Sequence, residues 1–323
     1  MNRARALPVA IAMLALLAMV GCDGIRPPRT AFEDKPAKST PSPVPRPPVA
    51  AQAVAAAHGA FTPPDEASLG DDAFAELVRQ GRDIFLDTKR HAPQFVGNGM
   101  SCGNCHLDAG RLADSAPLWG AYGRYPQFRK KTGEVNNYTE RLQGCFLYSM
   151  NGTAPPAGSP VLKALEAYSY WMAANAPLGA TLPGAGYPKG ERPPQPPDYA
   201  RGRKVYETSC ALCHGSDGLG QQADGRYVFP PVWGRDSYNW GAGMHQLDNA
   251  AAFIRANMPY GRGGTLGLQD AWDVAMYINA QERPQDPRYT GNLAQTRKQF
   301  HDSPDSLYGL TVDGRMLGAN PSR

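Results

Sequence analysis

The sequence lacks the features of a membrane-spanning, nucleic-acid-binding or disulfide-rich protein. It has only six cysteines in 323 residues, and its formal net charge is +4. The one long apolar run, from Leu7 to Val20, is too short to cross a bilayer as a mature helix. A charge so close to neutral gives no general case for binding nucleic acid or a charged membrane surface. The function is therefore expected to depend on particular residues.

Four of the six cysteines lie in two Cys-x-x-Cys-His pentads, at 102–106 and at 210–214. This spacing lets two thiols form thioethers to one haem, with the adjacent histidine as the proximal ligand of the iron. Structural zinc is the alternative, but zinc-binding pairs usually lie about 12–20 residues apart. Here the pairs lie much further apart, and each has its own histidine. The sequence thus predicts a redox protein whose two covalent c-type haems are held by Cys102, Cys105, His106, Cys210, Cys213 and His214.

The N-terminus predicts export and lipid anchoring. A basic start followed by the apolar run has the form of a signal peptide, and Val20-Gly21-Cys22 resembles a bacterial lipobox. Met19 stands where that pattern prefers leucine, and an ordinary signal peptide cut elsewhere is the alternative. We expect residues 1–21 to be removed and Cys22 to be acylated. Residues 22–64, rich in proline, are expected to form a disordered tether, so that the protein is periplasmic and held to a membrane by its lipid.

The rest of the chain repeats one plan. Gly81-Arg-Asp-Ile-Phe85 precedes the first pentad and Gly202-Arg-Lys-Val-Tyr206 the second, each predicting a helix whose glycine permits close contact with another helix. Residues 166–175 and 270–279 follow the pentads and predict matching C-terminal helices, whose aromatic and methionine positions we expect in the core.

This order resembles the class I cytochrome c fold. The resemblance implies a mainly α protein with two tandem cytochrome c domains, each around one covalently bound haem. The first domain is expected over residues 65–182 and the second, with a C-terminal extension, over 198–323. The Pro-rich residues 183–197 are expected to link them.

In class I domains the distal ligand lies between the pentad and the final helix. In the second half Met258, followed by Pro259, fits that loop after His214. Met244 and His245 are alternatives, but they lie earlier and lack the Met-Pro pair. Histidine–methionine ligation at the second haem would raise its potential.

The first half offers two sulfur atoms for one distal position. Met150 follows His106 at the same spacing as Met258 follows His214, and Cys145 lies five residues before it. Spacing alone slightly favours Met150 as the ligand and Cys145 as a small buried apolar residue. A Cys145 ligand is the alternative.

Low-frequency residues at fixed offsets resemble the dihaem thiosulfate dehydrogenases. The similarity spans roughly Gly81 to Gly309, and a related haem–thiolate cytochrome of the sulfur-oxidising multienzyme system shares part of the first half. The motifs that carry it are Pro117-Leu-Trp119, Tyr125 to Gly133, Arg141 to Gly152, Met258-Pro259, Ala271 to Val274, Ile278-Asn279, Arg283-Pro284, Asp286-Pro-Arg288 and Ser306 to Gly309.

The resemblance implies an oxidoreductase that joins two thiosulfates into tetrathionate, a reaction some members run backwards. It implies His106 and Cys145 as ligands of haem 1, in a catalytic first domain, and His214 and Met258 as ligands of haem 2. Electrons would pass from haem 1 to haem 2, and then to a small periplasmic acceptor such as a cytochrome c or an iron–sulfur protein.

The resemblance also implies an anion site made of Arg129, Lys131, Arg141 and Ser149. Cations are needed there because two thiosulfate dianions must approach each other. Lys131 stands where we expect arginine. A lysine keeps the positive charge but lacks the bidentate fork of arginine, and this difference bears on anion affinity and reaction direction. Asn257 stands where the family often has lysine, so a Lys-for-Met exchange at haem 2 is unavailable.

Cysteine sulfur is chemically suited to this reaction, because a thiolate attacks or accepts sulfane sulfur. We expect thiosulfate either to displace Cys145 from the iron or to form a Cys145 S-thiosulfonate, which a second thiosulfate then attacks. A membrane-tethered dihaem electron carrier without a substrate is the non-enzymatic alternative. A haem subunit that loads sulfur onto a carrier protein would also use Cys145, but it should need a dedicated partner chain.

Overall fold

The structure, a computed structural model, describes residues 61–188 and 190–322. The predicted signal peptide, Cys22 and most of the predicted tether lie outside this range. Within it, the helices are too short or too polar for any of them to span a bilayer.

Helices dominate the described residues. In chain order they are α1 (Ala73–Leu86), α2 (Thr88–His91), α3 (Leu107–Gly110), α4 (Tyr138–Gly144), α5 (Pro160–Met172), α6 (Tyr199–Ser209), α7 (Ala211–His214), α8 (Leu247–Asn257), α9 (Leu268–Asn279) and α10 (Leu293–Phe300). A π-helix, Cys145–Ser149, continues α4.

The strands form three small antiparallel hairpins. They pair β1 (Gln127–Arg129) with β2 (Glu134–Asn136), β3 (Gln221–Ala223) with β4 (Arg226–Phe229), and β5 (Thr311–Val312) with β6 (Arg315–Met316). The first hairpin matters for function, because its register pairs Arg129 with Glu134 and places Lys131 in the connecting turn.

The predicted close helix crossings are confirmed in both halves. A Cβ added at Gly81 of α1 would lie 2.0 Å from the carbonyl oxygen of Ala164 in α5. A Cβ added at Gly202 of α6 would lie 1.9 Å from the carbonyl oxygen of Asp273 in α9. Only glycine allows the two backbones to approach this closely. The repeat seen in the sequence is thus a repeated helix crossing.

Each half has its own hydrophobic core. The first is built on α1, α4 and α5 and buries Tyr168 and Met172 completely, at 0% exposure. The second is built on α6, α8 and α9 and buries Tyr206 and Trp272. The predicted positions Tyr168, Met172 and Trp272 are therefore core residues, and Met276 packs partly buried against the second core. The mainly α, two-domain architecture is confirmed.

The two halves are joined by buried contacts within one compact unit. Leu107, directly after His106 of the first pentad, packs into the core of the second half. Asn98 donates from Nδ2 to the carbonyl oxygen of Ser237 at 3.1 Å. These contacts fix how the first pentad faces the second half.

The segment predicted as the linker, 183–197, carries no helix or strand among its described residues. It is nevertheless held in place. Arg192 forms a bidentate pair with Asp305, at 2.6 and 2.8 Å, and the ring of Tyr187 packs edge-on against Phe253.

The last residues of the segment predicted as the tether contact the first half. The ring of Phe61 lies 5.6 Å from that of Trp119, and Arg111 donates to the carbonyl oxygen of Pro64. The folded body therefore includes contacts made by residues 61–64.

Candidate functional site

The two pentads place their histidines alike. Nδ1 of His106 lies 2.7 Å from the carbonyl oxygen of Ala116, and Nδ1 of His214 lies 2.8 Å from that of Pro230. A carbonyl only accepts, so Nδ1 carries the proton and Nε2 keeps its lone pair for a metal. Burial lowers the pKa of His106 to about 4, which keeps the imidazole neutral. The thiol pair and oriented histidine of each pentad fit a c-type haem.

Cys145 opens the π-helix that continues α4. Helix α4 begins at a capping box in which Asn137 and Glu140 bond each other's backbone, and this fixes the direction of the helix. Nη1 of Arg141 donates to Sγ of Cys145 at 2.9 Å. The charge of Cys145 raises the pKa of Arg141, although burial acts in the opposite direction. Single π-turns within α-helices occur often at functional sites.

The environment differs between the two sulfurs that compete for the first haem. Cys145 is half-buried and close enough to Cys102 and Cys105 to raise the pKa of both thiols, after burial as the main cause. Met150 is 4% exposed in the hydrophobic core, and its carbonyl oxygen accepts from the backbone of Gly97 at 3.0 Å. Cys145 thus lies beside the first pentad with a cation at its sulfur. Its role as distal ligand stays a prediction.

The first hairpin brings predicted cations toward Cys145. Arg129 donates from Nη1 to the hydroxyl of Tyr125 at 2.6 Å. Burial and then Arg141 lower the pKa of Arg129, with Cys145 acting in the opposite direction. Arg129, Arg141 and Cys145 therefore share one electrostatic environment. Ser149 ends the π-helix and is half-buried nearby, and its carbonyl oxygen accepts from Asn98.

Lys131 is largely enclosed, in contact with both halves of the chain. Its Nζ donates to the carbonyl oxygen of Gly241 and lies 3.4 Å from the ring centroid of Tyr148. Burial, with Arg288 and Arg141 as further causes, lowers the pKa of Lys131 to about 7. Lys131 therefore titrates near neutral pH, unlike an ordinary surface lysine.

Two of the residues that contact Lys131, Gly241 and Arg288, come from the second half, and their position there was not predicted. Arg288 is bonded to Asp286 through Nε and Nη2, at 3.0 and 2.6 Å. His301 contacts the same carboxylate at 2.9 Å, and Nδ1 of His301 lies 3.2 Å from Nε2 of His245. Burial raises the pKa of Asp286, but bonds from His301 and Arg288 outweigh it and hold that pKa below its usual range. The Asp-Pro-Arg motif was recognised in the sequence, but nothing in the sequence predicted that it lies beside Lys131.

The predicted distal methionine of the second half follows α8. Met258 is half-buried against the second core, and its backbone N–H donates to Ile254 at 2.8 Å. Its alternative His245 has both ring nitrogens in hydrogen bonds, Nδ1 to Ala242 at 2.5 Å and Nε2 to His301. Met244 lies in the short turn before α8. Met258 remains the predicted ligand.

Fold and site together define a dihaem c-type cytochrome, and comparisons with known proteins give its family. Residues 91–178 match the family model described as SoxA/TsdA, cytochrome c domain, and residues 197–278 match that described as cytochrome C oxidase, cbb3-type, subunit III.

Relatives cover most of the chain. The thiosulfate dehydrogenase of Thiomonas intermedia (strain K12) is 57% identical over 258 residues, 80% of this chain and 82% of the relative. That of Stutzerimonas stutzeri (strain A1501) is 56% identical over 260 residues, 80% and 85% of the two chains. A solved structure of the thiosulfate dehydrogenase TsdBA from Marichromatium purpuratum aligns with a TM-score of 0.78 and 48% identity, over 81% of this chain. This chain spans 58% of the length of that structure's chain.

The chain belongs to the thiosulfate dehydrogenase family. It has two cytochrome c domains, and its cofactors are two covalently bound c-type haems.

Proposed function

We propose that this protein is a thiosulfate dehydrogenase that joins two thiosulfates into tetrathionate. The observation that carries the proposal is the Cys145 thiol, which lies beside the first pentad with the Arg141 guanidinium 2.9 Å from its sulfur. The relatives named thiosulfate dehydrogenases support the choice of substrate.

The main physical obstacle to the reaction is the repulsion between two thiosulfate dianions, which cationic side chains can offset. Two unit charges of like sign 4 Å apart repel by about 4 kcal/mol at an effective dielectric constant of ~20. Two dianions contain several such pairs, so their approach needs compensating charge. Arg129, Lys131 and Arg141 supply it, because each interacts electrostatically with Cys145. We assign the first thiosulfate to this cationic region, with its sulfane sulfur toward Cys145.

Cys145 then supplies the reacting sulfur. Its thiolate forms a bond to the sulfane sulfur of the first thiosulfate, which releases two electrons. The second thiosulfate attacks that sulfane sulfur, forming the central bond of tetrathionate as the bond to Cys145 breaks and the thiolate is restored. Arg141 stabilises the Cys145 thiolate both before the first step and after the last step of this reaction. Each haem, when bound, can accept one electron.

We assign the residues that hold the haems from the two pentads and the sulfur-bearing residues that follow them. Cys102 and Cys105 would attach haem 1, with His106 as its proximal ligand and Cys145 as its resting distal ligand. The second haem would be attached by Cys210 and Cys213 and ligated by His214 and Met258. His106 and His214 are each oriented by one backbone carbonyl, which supports their role as ligands.

The activity is tested with the purified dihaem protein. Thiosulfate should reduce the haems, as followed by their absorption, and tetrathionate should accumulate when an artificial oxidant is supplied. Tetrathionate added to the reduced protein tests the reverse direction. A protein that dithionite reduces but thiosulfate does not would instead be an electron carrier, and the proposal would be wrong.

The partner and location are also proposals. We assign the electrons to a small periplasmic cytochrome c or iron–sulfur protein, and we assign the protein to the periplasm, attached by a lipid on Cys22. The lipobox pattern supports the anchor. Intact mass of the mature protein tests it. Acylated Cys22 at the new N-terminus is expected, and an unmodified chain cut elsewhere would contradict it.

A further inference from the structure

The anion site is completed by the second half of the chain. Lys131 lies in a hairpin of the first half, yet two of its polar contacts come from the second. Its Nζ donates to the carbonyl oxygen of Gly241, and its own carbonyl oxygen accepts from Nη1 of Arg288 at 3.4 Å. Both contacts bridge more than a hundred residues of sequence.

Arg288 is itself rigidly placed. Its guanidinium makes a two-point contact with Asp286, and its side chain is only 18% exposed. It also lies 4.5 Å from the ring of Phe300 and 5.2 Å from that of Tyr148. Two donors are thus occupied by a carboxylate, and the third nitrogen points to the backbone of Lys131.

The carboxylate that holds Arg288 is supported from behind. Asp286 is completely buried, and His301, also completely buried, contacts its Oδ2 at 2.9 Å. His245 contacts His301 in turn at 3.2 Å. The oxidation of thiosulfate to tetrathionate transfers no proton, so the reaction gives these groups no acid–base task. Their arrangement suits the fixing of one guanidinium.

Tyr148 connects the two cations. Its ring lies 3.4 Å from Nζ of Lys131, and it stands in the π-helix that begins with Cys145. A Cβ at Gly241 would lie 2.5 Å from this ring, so the second half closes tightly over it. The ammonium group is therefore held between a ring of the first half and a carbonyl of the second.

We propose that Arg288 is a positioning residue for thiosulfate oxidation, which acts through Lys131 by holding its backbone beside Cys145. Asp286, backed by His301, fixes Arg288 in turn. The inference rests on the proposed function, in which the Lys131 ammonium binds the thiosulfate anion.

A double-mutant cycle tests the inference by equilibrium binding. Thiosulfate is titrated by calorimetry into the holoprotein with both haems reduced, where it cannot be oxidised. We expect Arg288→Gln and Lys131→Ala each to weaken binding about tenfold. The double variant should bind no more than about twofold more weakly than Lys131→Ala, because a residue that acts through Lys131 has nothing left to position.

Additive losses in the double variant would overturn the proposal, since Arg288 would then bind the anion by itself. Wild-type affinity in Arg288→Gln would also overturn it. Wild-type affinity in Lys131→Ala would instead show that Lys131 does not bind the anion, which contradicts the proposed function. Failure of the positioning proposal and failure of the proposed function are thus distinguished. The turnover of the wild type is measured separately.

Arg297→Gln is the matched control. Arg297 lies in the same C-terminal region and bonds backbone carbonyls of Ser306 and Tyr308, but it does not contact Lys131. It should bind thiosulfate like the wild type. Haem absorption and thermal unfolding check that each variant is folded. If Arg288→Gln does not fold, Arg288→Lys enters the same cycle, because it keeps the charge beside Asp286 but loses the two-point fork.

Discussion

Arg141 donates to the sulfur of Cys145 one helical turn further along the chain, with Nη1 and Sγ 2.9 Å apart. The pair joins α4 to the π-helix, so the geometry of one helix end sets the distance between cation and thiol. A guanidinium at this distance places a positive charge beside the sulfur. The thiolate is the form of cysteine that ligates metals and attacks sulfur. The Arg141–Cys145 contact is local in the sequence, but its role in the reaction depends on the first pentad, which lies beside it.

Paired substitutions distinguish Cys145 from Met150 as the functional sulfur at the first haem. Cys145→Ser should lower turnover with thiosulfate by at least about a thousandfold, since a missing nucleophile removes the reaction's covalent step. Met150→Leu, which conserves volume in the core, should keep most of the activity. Turnover is measured at equal haem content, and thiolate signals of the ferric protein should vanish only in Cys145→Ser. An active serine variant with an inactive leucine variant would reverse the assignment.

The pH dependence of thiosulfate use should report Lys131. Its pKa is lowered to about 7, and the protonated ammonium is the form that binds an anion. Protonated Lys131 is therefore present below about pH 7 and is lost as the pH rises through that value, so kcat/KM for thiosulfate should fall on the alkaline side.

Lys131→Arg provides the comparison for this pH profile. Arginine stays charged at any pH of the assay, so the alkaline fall should move to higher pH or disappear. The measurement is kcat/KM between pH 5.5 and 9 for both proteins. Identical alkaline limbs would show that a different group titrates.

Met258 should set the potential of the second haem. Replacing a thioether ligand by imidazole, in Met258→His, should lower the midpoint potential of that haem by more than about 100 mV, because methionine ligation favours reduced iron. Met244→Leu is the control, and it should leave both potentials unchanged. Spectroelectrochemical titration measures them. A shift in the Met244 variant alone would move the ligand assignment to Met244.

The helix crossing in the first half should not tolerate a methyl group. Gly81→Ala would place Cβ 2.0 Å from the carbonyl oxygen of Ala164, so the helices must move apart. Overpacking costs up to about 3 kcal/mol, and alanine gains about 1 kcal/mol in helix propensity. We expect a net loss of about 2 kcal/mol in the free energy of unfolding, measured by denaturant titration. Gly70→Ala, where a Cβ would meet nothing within 4 Å, should change it by less than about 0.5 kcal/mol.

Local patterns in the sequence predicted much of the fold. The Cys-x-x-Cys-His spacing is a covalent requirement, and the glycine and aromatic positions of the paired helices are set by helical periodicity. The close helix contacts at Gly81 and Gly202 could be predicted without coordinates, because each follows from one glycine in a local helical pattern. The C-terminal extension carries the motif Ser306 to Gly309, but that motif gave no structural role, and the contribution of Leu307, Tyr308 and Leu317 to the second core appears only in three dimensions.

The sequence by itself determined the two haem-binding motifs, the repeated helix plan and the thiol that breaks the symmetry between the halves. These depend on residue type and short-range spacing. Only the tertiary structure decided the surroundings of Lys131. Its contacts with Gly241 and Arg288 come from segments far away along the chain, and its lowered pKa arises from burial between the two halves. Desolvation and through-space charge depend on the packed arrangement, so no local pattern encodes them.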